Sequence, residues 1–80
     1  MDDDSLLRRI GNLADEEREL EEAHIGEPLA PDRLARLRRI EVELDQSWDL
    51  LRQRRARRSA GLSSDDAAER PESVVERYQQ

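Results

Sequence analysis

Residues 52–58 read RQRRARR and hold the densest group of side chains that could bind a ligand. Guanidinium groups bind phosphate oxygens through paired hydrogen bonds, so this run could form a basic patch for a nucleotide or a nucleic acid. The formal net charge of the chain is -6, so such a patch would be a local exception on an acidic protein. The candidate anion-binding residues are Arg52, Arg54, Arg55, Arg57 and Arg58.

The same arginines also have a structural interpretation. Cations near the carboxyl end of a helix are stabilised by the helix dipole, and Asp2, Asp3 and Asp4 could supply counter-ions from the start of the chain. An acidic chain is repelled from DNA outside a local patch, and no aromatic residue lies among the arginines to stack on a base. We therefore favour the structural role and do not expect nucleic acid to be the partner.

Two carboxylates, Glu17 and Glu41, interrupt the apolar pattern at roughly level positions. Facing carboxylates can share a proton or bind a metal ion. Carboxylate metal sites in helical bundles add a Glu-x-x-His motif, whereas the single histidine, His24, lies in a predicted turn. We therefore expect no metal, and we expect Arg38 or an arginine of a second chain to neutralise both carboxylates.

The remaining residues give no sign of catalysis. No serine has a histidine and an acid near it in a pattern that would activate a nucleophile. The sequence also lacks a glycine-rich phosphate loop. We therefore expect no catalytic residues, no cofactor and no enzymatic activity.

A first helix, predicted over about residues 5–23, positions the leading aspartates. Its apolar residues recur in steps of four and three, which keeps them in one stripe on a helical face. Ser5 is predicted to be the N-cap. The segment HIGEPLAP, residues 24–31, contains one glycine and two prolines and predicts a turn. The candidate core or dimer residues of this helix are Leu6, Ile10, Leu13 and Leu20.

A second, longer helix is predicted over about residues 31–60 and carries the arginine run at its far end. Pro31 suits its first turn and Gly61 its C-cap. Trp48 is expected to anchor the core or a dimer interface. The candidate core or dimer residues of this helix are Leu34, Leu37, Leu44, Trp48 and Leu51.

Residues 62–80 are predicted to form a flexible polar tail with a short helix over about residues 71–78. Pro71 would begin that helix, with Val74, Val75 and Tyr78 on one side. A tail of this composition stays disordered unless it docks.

Alternating charge blocks predict that the two long helices lie antiparallel. A short turn brings together residues whose numbers sum to about 55, which sets acidic blocks beside basic ones along the whole length. An exposed ion pair contributes only about 0–1 kcal/mol, so these charges would select orientation and register. The predicted neighbours are Asp2–Asp4 with Arg52, Arg54 and Arg55; Arg8 and Arg9 with Asp45 and Asp49; and Glu16, Glu17, Glu19 and Glu22 with Arg39, Arg38, Arg36 and Arg33.

The chain has 80 residues and no cysteine, so we expect one small domain at most, without disulfides or thiolate metal sites. Two helices alone leave their apolar side chains half exposed. We therefore expect a homodimer in which two hairpins form a four-helix bundle, with each hairpin closed within one chain or exchanged between two. No apolar stretch approaches membrane-spanning length, and we expect a soluble cytoplasmic protein.

The segments MDDDSLLRRIGNLADEERELE, EVELDQSWDLLRQRRARRSAG and RPESVVERY resemble a family of short actinobacterial proteins known only as a domain of unknown function. The resemblance covers nearly the whole chain and implies no activity.

A second resemblance is to cyclic-di-GMP-responsive anti-sigma hairpins, whose motif is Glu-x3-Ser-x2-Arg-x3-Gln-x3-Asp. Glu43 and Ser47 fit its first step. Leu50 stands where the motif requires arginine, and Arg54 and Arg58 replace its glutamine and aspartate. The motif is therefore broken here.

Together these features predict an all-α protein, an antiparallel coiled-coil-like hairpin with a short C-terminal helix or tail. Its predicted function is that of a small non-enzymatic interaction or regulatory module. The alternative is an anion-binding module that uses the arginine run for a nucleotide or nucleic acid, for example a cyclic dinucleotide.

Overall fold

A computed structural model of the chain describes residues 2–23 and 26–75. It contains two long helices, α1 (Asp3–Glu22) and α2 (Pro31–Ser59), followed by a 3₁₀ turn (Ser64–Asp66) and a short helix α3 (Glu72–Val75). The described residues include no strand. The two long helices lie antiparallel, so the prediction of an all-α hairpin is confirmed.

The first helix begins earlier than its sequence pattern predicted. The cap is Asp2, which has extended backbone angles and whose carboxylate accepts a hydrogen bond from the Ser5 backbone N–H at 2.8 Å. Ser5 is therefore inside the helix, and its prediction as N-cap is wrong. Asp3 and Asp4 lie in the first turn, where the positive end of the helix dipole stabilises negative charge.

Proline and glycine mark the two ends of α2. Pro31 occupies the first helical position, where its missing N–H would have had no helical acceptor. At the other end, Gly61 has a φ of 75°, a left-handed conformation that favours glycine. Its N–H donates to the Arg58 carbonyl and the Leu62 N–H to the Arg57 carbonyl, a pattern that closes the helix.

The apolar core lies between α1 and α2. Its centre is formed by Leu6, Ile10, Leu50 and Leu51, against which Leu44 and Ala67 are packed. Of the nine candidate core or dimer residues, five are buried and two are half-buried. The buried ones are Leu6, Ile10, Leu13, Leu37 and Leu51; the half-buried ones are Leu20 and Leu44.

The two other candidates, Leu34 and Trp48, lie outside the core of the single chain. Leu34 is 37% exposed and Trp48 is 42% exposed. Ile40 and Leu50, which the apolar pattern of α2 also includes, are buried instead. The stripe facing α1 is therefore rotated away from Leu34 and Trp48, and their predicted role in a dimer remains a prediction.

The described part of the C-terminal segment is docked along α2. The Gln53 side-chain amide donates to the Ala68 carbonyl at 2.7 Å, and the Arg57 guanidinium donates to the Ser63 carbonyl at 2.6 Å. Val75 in α3 is only 2% exposed. The sequence predicts that this tail is ordered only if it docks, and these contacts dock its described part. Tyr78, predicted to lie on the same side of this helix as Val74 and Val75, falls outside the described residues.

No helix in the described ranges combines the length and apolar character needed to cross a membrane.

Candidate interaction site

The arginine run does not form one continuous basic patch. Arg54 is buried, with 6% of its surface exposed. Its Nε donates to Asp3 Oδ1 at 2.6 Å, and its Nη1 donates to the Ser64 carbonyl at 3.1 Å. By its place in the run, this arginine is one of the predicted ligand-binding residues. In the structure it instead joins α1, α2 and the segment after α2.

Asp3 is shared between two arginines. Besides its bond with Arg54, its Oδ2 lies 2.6 Å from Arg58 Nη2. Hydrogen bonds from Arg58 and then Arg54 hold the pKa of the Asp3 carboxyl well below its usual range. The same contact raises the pKa of Arg58. The predicted meeting of the leading aspartates with the arginine run is therefore present at Asp3.

The three other arginines of the run divide into one bound and two open side chains. Arg57 bonds the Ser63 carbonyl and lies 3.2 Å from Asp66 Oδ2. Arg52 and Arg55 are exposed and make no ion pair within the described ranges. Of the five candidate anion-binding residues, these two are thus the ones that make no ion pair with the part of the chain that the structure describes.

At the other end of the hairpin the register differs from the predicted one. Arg36 donates through Nε and Nη2 to the two carboxylate oxygens of Glu16, at 2.6 and 2.8 Å. This bidentate contact lowers the pKa of Glu16 and raises that of Arg36. The expected neighbour of Glu16 was Arg39, which instead approaches Glu43 on its own helix at 3.8 Å.

The middle charge block meets the tail. Arg9 Nη1 lies 3.4 Å from Glu69, and Arg70 Nε lies 3.5 Å from Asp49. Asp49 is buried and also accepts a hydrogen bond from Gln53 at 2.9 Å. Arg9 and Asp49 were expected to pair with each other's helix, and each instead contacts a residue of the tail. Glu69 and Arg70 gave no sequence signal beyond their charge.

Three glutamates form an acidic cluster where α1 faces α2. Carboxylate oxygens of Glu17, Glu21 and Glu41 lie within 4.8 Å of one another. Partial burial, and then the charges of Glu21, Glu41 and Asp45, raises the pKa of Glu17. Arg38 lines a surface groove together with Glu17 and Glu41, but it makes no ion pair with either within the described ranges. The neutralisation expected from Arg38 is therefore absent in the single chain.

Exposed apolar residues border this acidic cluster. On α1, Leu7 and Glu21 are separated by 14 positions, which is close to four helical turns, so they lie on one stripe. On α2, a second stripe is formed at intervals of seven by Leu34, Glu41 and Trp48. Because Glu21 and Glu41 lie close together, the two stripes run along the same side of the hairpin. We call this surface the open flank. Its members are Leu7, Glu17, Glu21, Leu34, Glu41 and Trp48.

The residues of the broken dinucleotide motif are engaged within the hairpin. The Ser47 side chain is fully buried, and its hydroxyl donates to the Glu43 carbonyl at 2.7 Å. Arg54 and Arg58 both bind Asp3. The described geometry therefore leaves Ser47 unavailable to a ligand on the surface of this conformation.

Comparisons with known proteins match almost the whole chain. The family described as "Protein of unknown function (DUF2630)" matches residues 2–80. Uncharacterized proteins of Mycobacterium bovis and of Mycobacterium tuberculosis strain H37Rv are each 44% identical to the chain over 77 residues, which is 95% of this chain and 88% of each relative. No solved structure matches it. The predicted resemblance to an actinobacterial family of unknown function is confirmed.

Proposed function

We propose that this chain, which belongs to the DUF2630 family, is a small non-enzymatic helical interaction module that self-associates through its open flank. The observation that carries the proposal is the exposure of Trp48, at 42%, on the same α2 stripe as the exposed Leu34. Tryptophan is the side chain that gains most from burial in an interface. In this proposal a second copy provides that burial.

The size of the hairpin supports self-association. Single exposed leucines are common on protein surfaces, but here Leu7, Leu34 and Trp48 are all exposed and share helical stripes with the glutamates of the acidic cluster. A domain of this length has little apolar area to stabilise it, and no cysteine is present to add a disulfide. A four-helix bundle built from two hairpins would bury both copies of the flank.

The distribution of charges supports this proposal over the anion-binding alternative. Three of the five arginines in residues 52–58 already bind Asp3, Asp66 or backbone carbonyls. A phosphate ligand would have to compete with those contacts or rely on Arg52 and Arg55 alone. The absence of enzymatic activity remains part of the proposal, because the chain offers one histidine and no cysteine from which to build a nucleophile and base.

Trp48 fluorescence across a dilution series tests the proposal, since Trp48 is the only tryptophan. We expect emission to shift to longer wavelength, and quenching by acrylamide to increase, as the protein is diluted and the indole enters water. The variant Leu34→Ser should show the diluted spectrum at every concentration, and Arg18→Ser, on an exposed site of α1, should behave as wild type. A wild-type spectrum independent of concentration and equal to that of Leu34→Ser would contradict the proposal.

A further inference from the structure

We infer, on the basis of the proposed self-association, that the partner is a second copy whose α2 runs antiparallel to the first, with Trp48 at the two-fold axis and Arg55 of each copy against Glu41 of the other. The proposal specifies the orientation, the register and the charged pair of the interface. It assigns to the two uncommitted arginines of the run a role in recognising a copy of the same chain.

The sequence of the α2 stripe is self-complementary about Trp48. At intervals of seven within α2 it reads Leu34, Glu41, Trp48 and Arg55. A two-fold interface brings each residue before the axis against the residue equally far beyond it. Trp48 then meets Trp48 and Glu41 meets Arg55, while Leu34 of each copy lies level with the carboxyl end of the other copy's α2.

Among the described residues, neither member of the charged pair makes an ion pair within its own chain. Arg55 is exposed and makes no ion pair within the described ranges. Glu41 is exposed and faces the carboxylates of Glu17 and Glu21. A guanidinium group of a second copy would enter a cluster of like charges and relieve its repulsion.

Arg52 reinforces the same arrangement. It follows Trp48 by four positions on the same side of α2, and Asp45 precedes Trp48 by three. In the antiparallel register each Arg52 therefore lies near Asp45 and Glu41 of the other copy. The arginine side of each α2 faces the acidic side of its partner at both ends of the contact.

The opposite orientation is disfavoured by the same residues. If two α2 helices lay parallel in register along this stripe, Glu41 would face Glu41 and Arg55 would face Arg55. Like charges placed opposite one another weaken association, so the pattern selects the antiparallel pair. An unrelated helical partner would need a basic group at the Glu41 cluster and an acid at Arg55, and this chain carries both at matching distances.

A charge-exchange experiment tests the inference with the full chain. Each of the variants Glu41→Arg and Arg55→Glu places two like-charged pairs in its own homodimer, so we expect about 10- to 100-fold weaker self-association than for wild type. An equimolar mixture of the two variants contains only opposite pairs and should form a one-to-one heterodimer. The double variant Glu41→Arg/Arg55→Glu should form a homodimer again. Native mass spectrometry distinguishes these species by mass.

The outcomes separate this inference from the proposed function. If wild type and both single variants dimerise equally, self-association stands and the proposed register is wrong. If the single variants are monomeric but their mixture stays monomeric, the Glu41–Arg55 pairing is likewise overturned. If wild type itself is a monomer, the proposed function fails and the inference fails with it. Circular dichroism of each variant establishes that it is folded, which is expected because both positions are exposed.

Discussion

The Asp3 carboxylate lies 2.6 Å from the Arg54 guanidinium, although 51 positions separate the two residues in the chain. This ion pair joins the first turn of α1 to the last third of α2. Arg58, one turn further along α2, binds the other carboxylate oxygen of Asp3. Arg54 is buried, so removing Asp3 would leave its positive charge without its nearest counter-ion. The pair therefore fixes the open end of the hairpin.

Replacing Asp3 with Asn should lower the unfolding temperature by several degrees at pH 7. The pKa of Asp3 is lower in the folded chain than its ordinary value of 3.8, so on acidification the unfolded chain takes up this proton first. The stability contributed by the carboxylate is therefore complete above that ordinary pKa and decreases as the pH falls through the lowered one.

Thermal unfolding followed by circular dichroism at several pH values measures this effect. The wild-type advantage over Asp3→Asn should be largest near neutral pH and should shrink below pH 3.8. Asp4→Asn is the matched control, because Asp4 is exposed in the same turn and its carboxylate makes no ion pair within the described ranges. An equal loss for both variants would attribute the effect to the helix dipole and contradict the role of the Arg54 pair.

Arginines within the run should differ sharply in their effect on stability. Arg54→Ala removes bonds to Asp3 and to the Ser64 carbonyl, and we expect it to reduce the free energy of unfolding by about 1–3 kcal/mol. Arg55→Ala should change the stability of the monomer by less than about 0.5 kcal/mol, because Arg55 is exposed and makes no ion pair in the described ranges. Urea denaturation at a concentration where both variants are monomeric compares them. Similar losses of unfolding free energy in both variants would contradict the conclusion that Arg54 stabilises the fold while Arg55 does not.

Docking of the C-terminal segment should depend on Val75. Val75→Ala removes buried methyl groups and should reduce the free energy of unfolding by about 1–2 kcal/mol, whereas Val74→Ala at a half-buried position should cost less. Amide hydrogen exchange locates the change: in Val75→Ala we expect faster exchange in residues 62–75 than in α1. Unchanged exchange in that segment would indicate that Val75 does not hold it against α2.

Glu17→Gln should raise the unfolding temperature at pH 7. The pKa of Glu17 is above its ordinary value of 4.5 in the folded chain, so folding disfavours the ionised carboxylate, and the destabilisation disappears as the pH falls below that value. The gain from glutamine should therefore vanish in the same range. Measurement in the Leu34→Ser background removes the contribution of a second copy. Glu19→Gln, at an exposed position of α1, is the control, and a gain independent of pH would contradict this explanation.

The hairpin could be predicted from the sequence because the spacing of apolar residues, and the glycine and proline residues at the helix ends, determine it locally. Leu6, Ile10 and Leu51 are buried as their periodicity indicates, and Pro31 begins α2. The acidic start of the chain also meets the arginine run, as opposite charge blocks on antiparallel helices predict. The Ser5 cap was wrong because Asp2 offers an equally good cap three residues earlier, which adds a turn to the helix.

The detailed pairing could not be predicted because it depends on how the tail docks and how each helix is rotated. Glu69 and Arg70 bind Arg9 and Asp49, and no local pattern in residues 62–70 signals that. Rotation of α2 also decides that Ile40 and Leu50 face the core while Leu34 and Trp48 remain exposed. An error of one position in register changes the partner of a charged side chain without altering the helices themselves.

The proposed self-association would bury the tryptophan that the single hairpin leaves exposed, and sedimentation equilibrium of the wild-type chain tests this proposal most directly. At low micromolar concentration we expect a folded species with twice the chain mass of 9.3 kDa, dissociating on dilution and weakened by Leu34→Ser. A folded species of 9.3 kDa at every concentration up to that range would contradict self-association through the open flank.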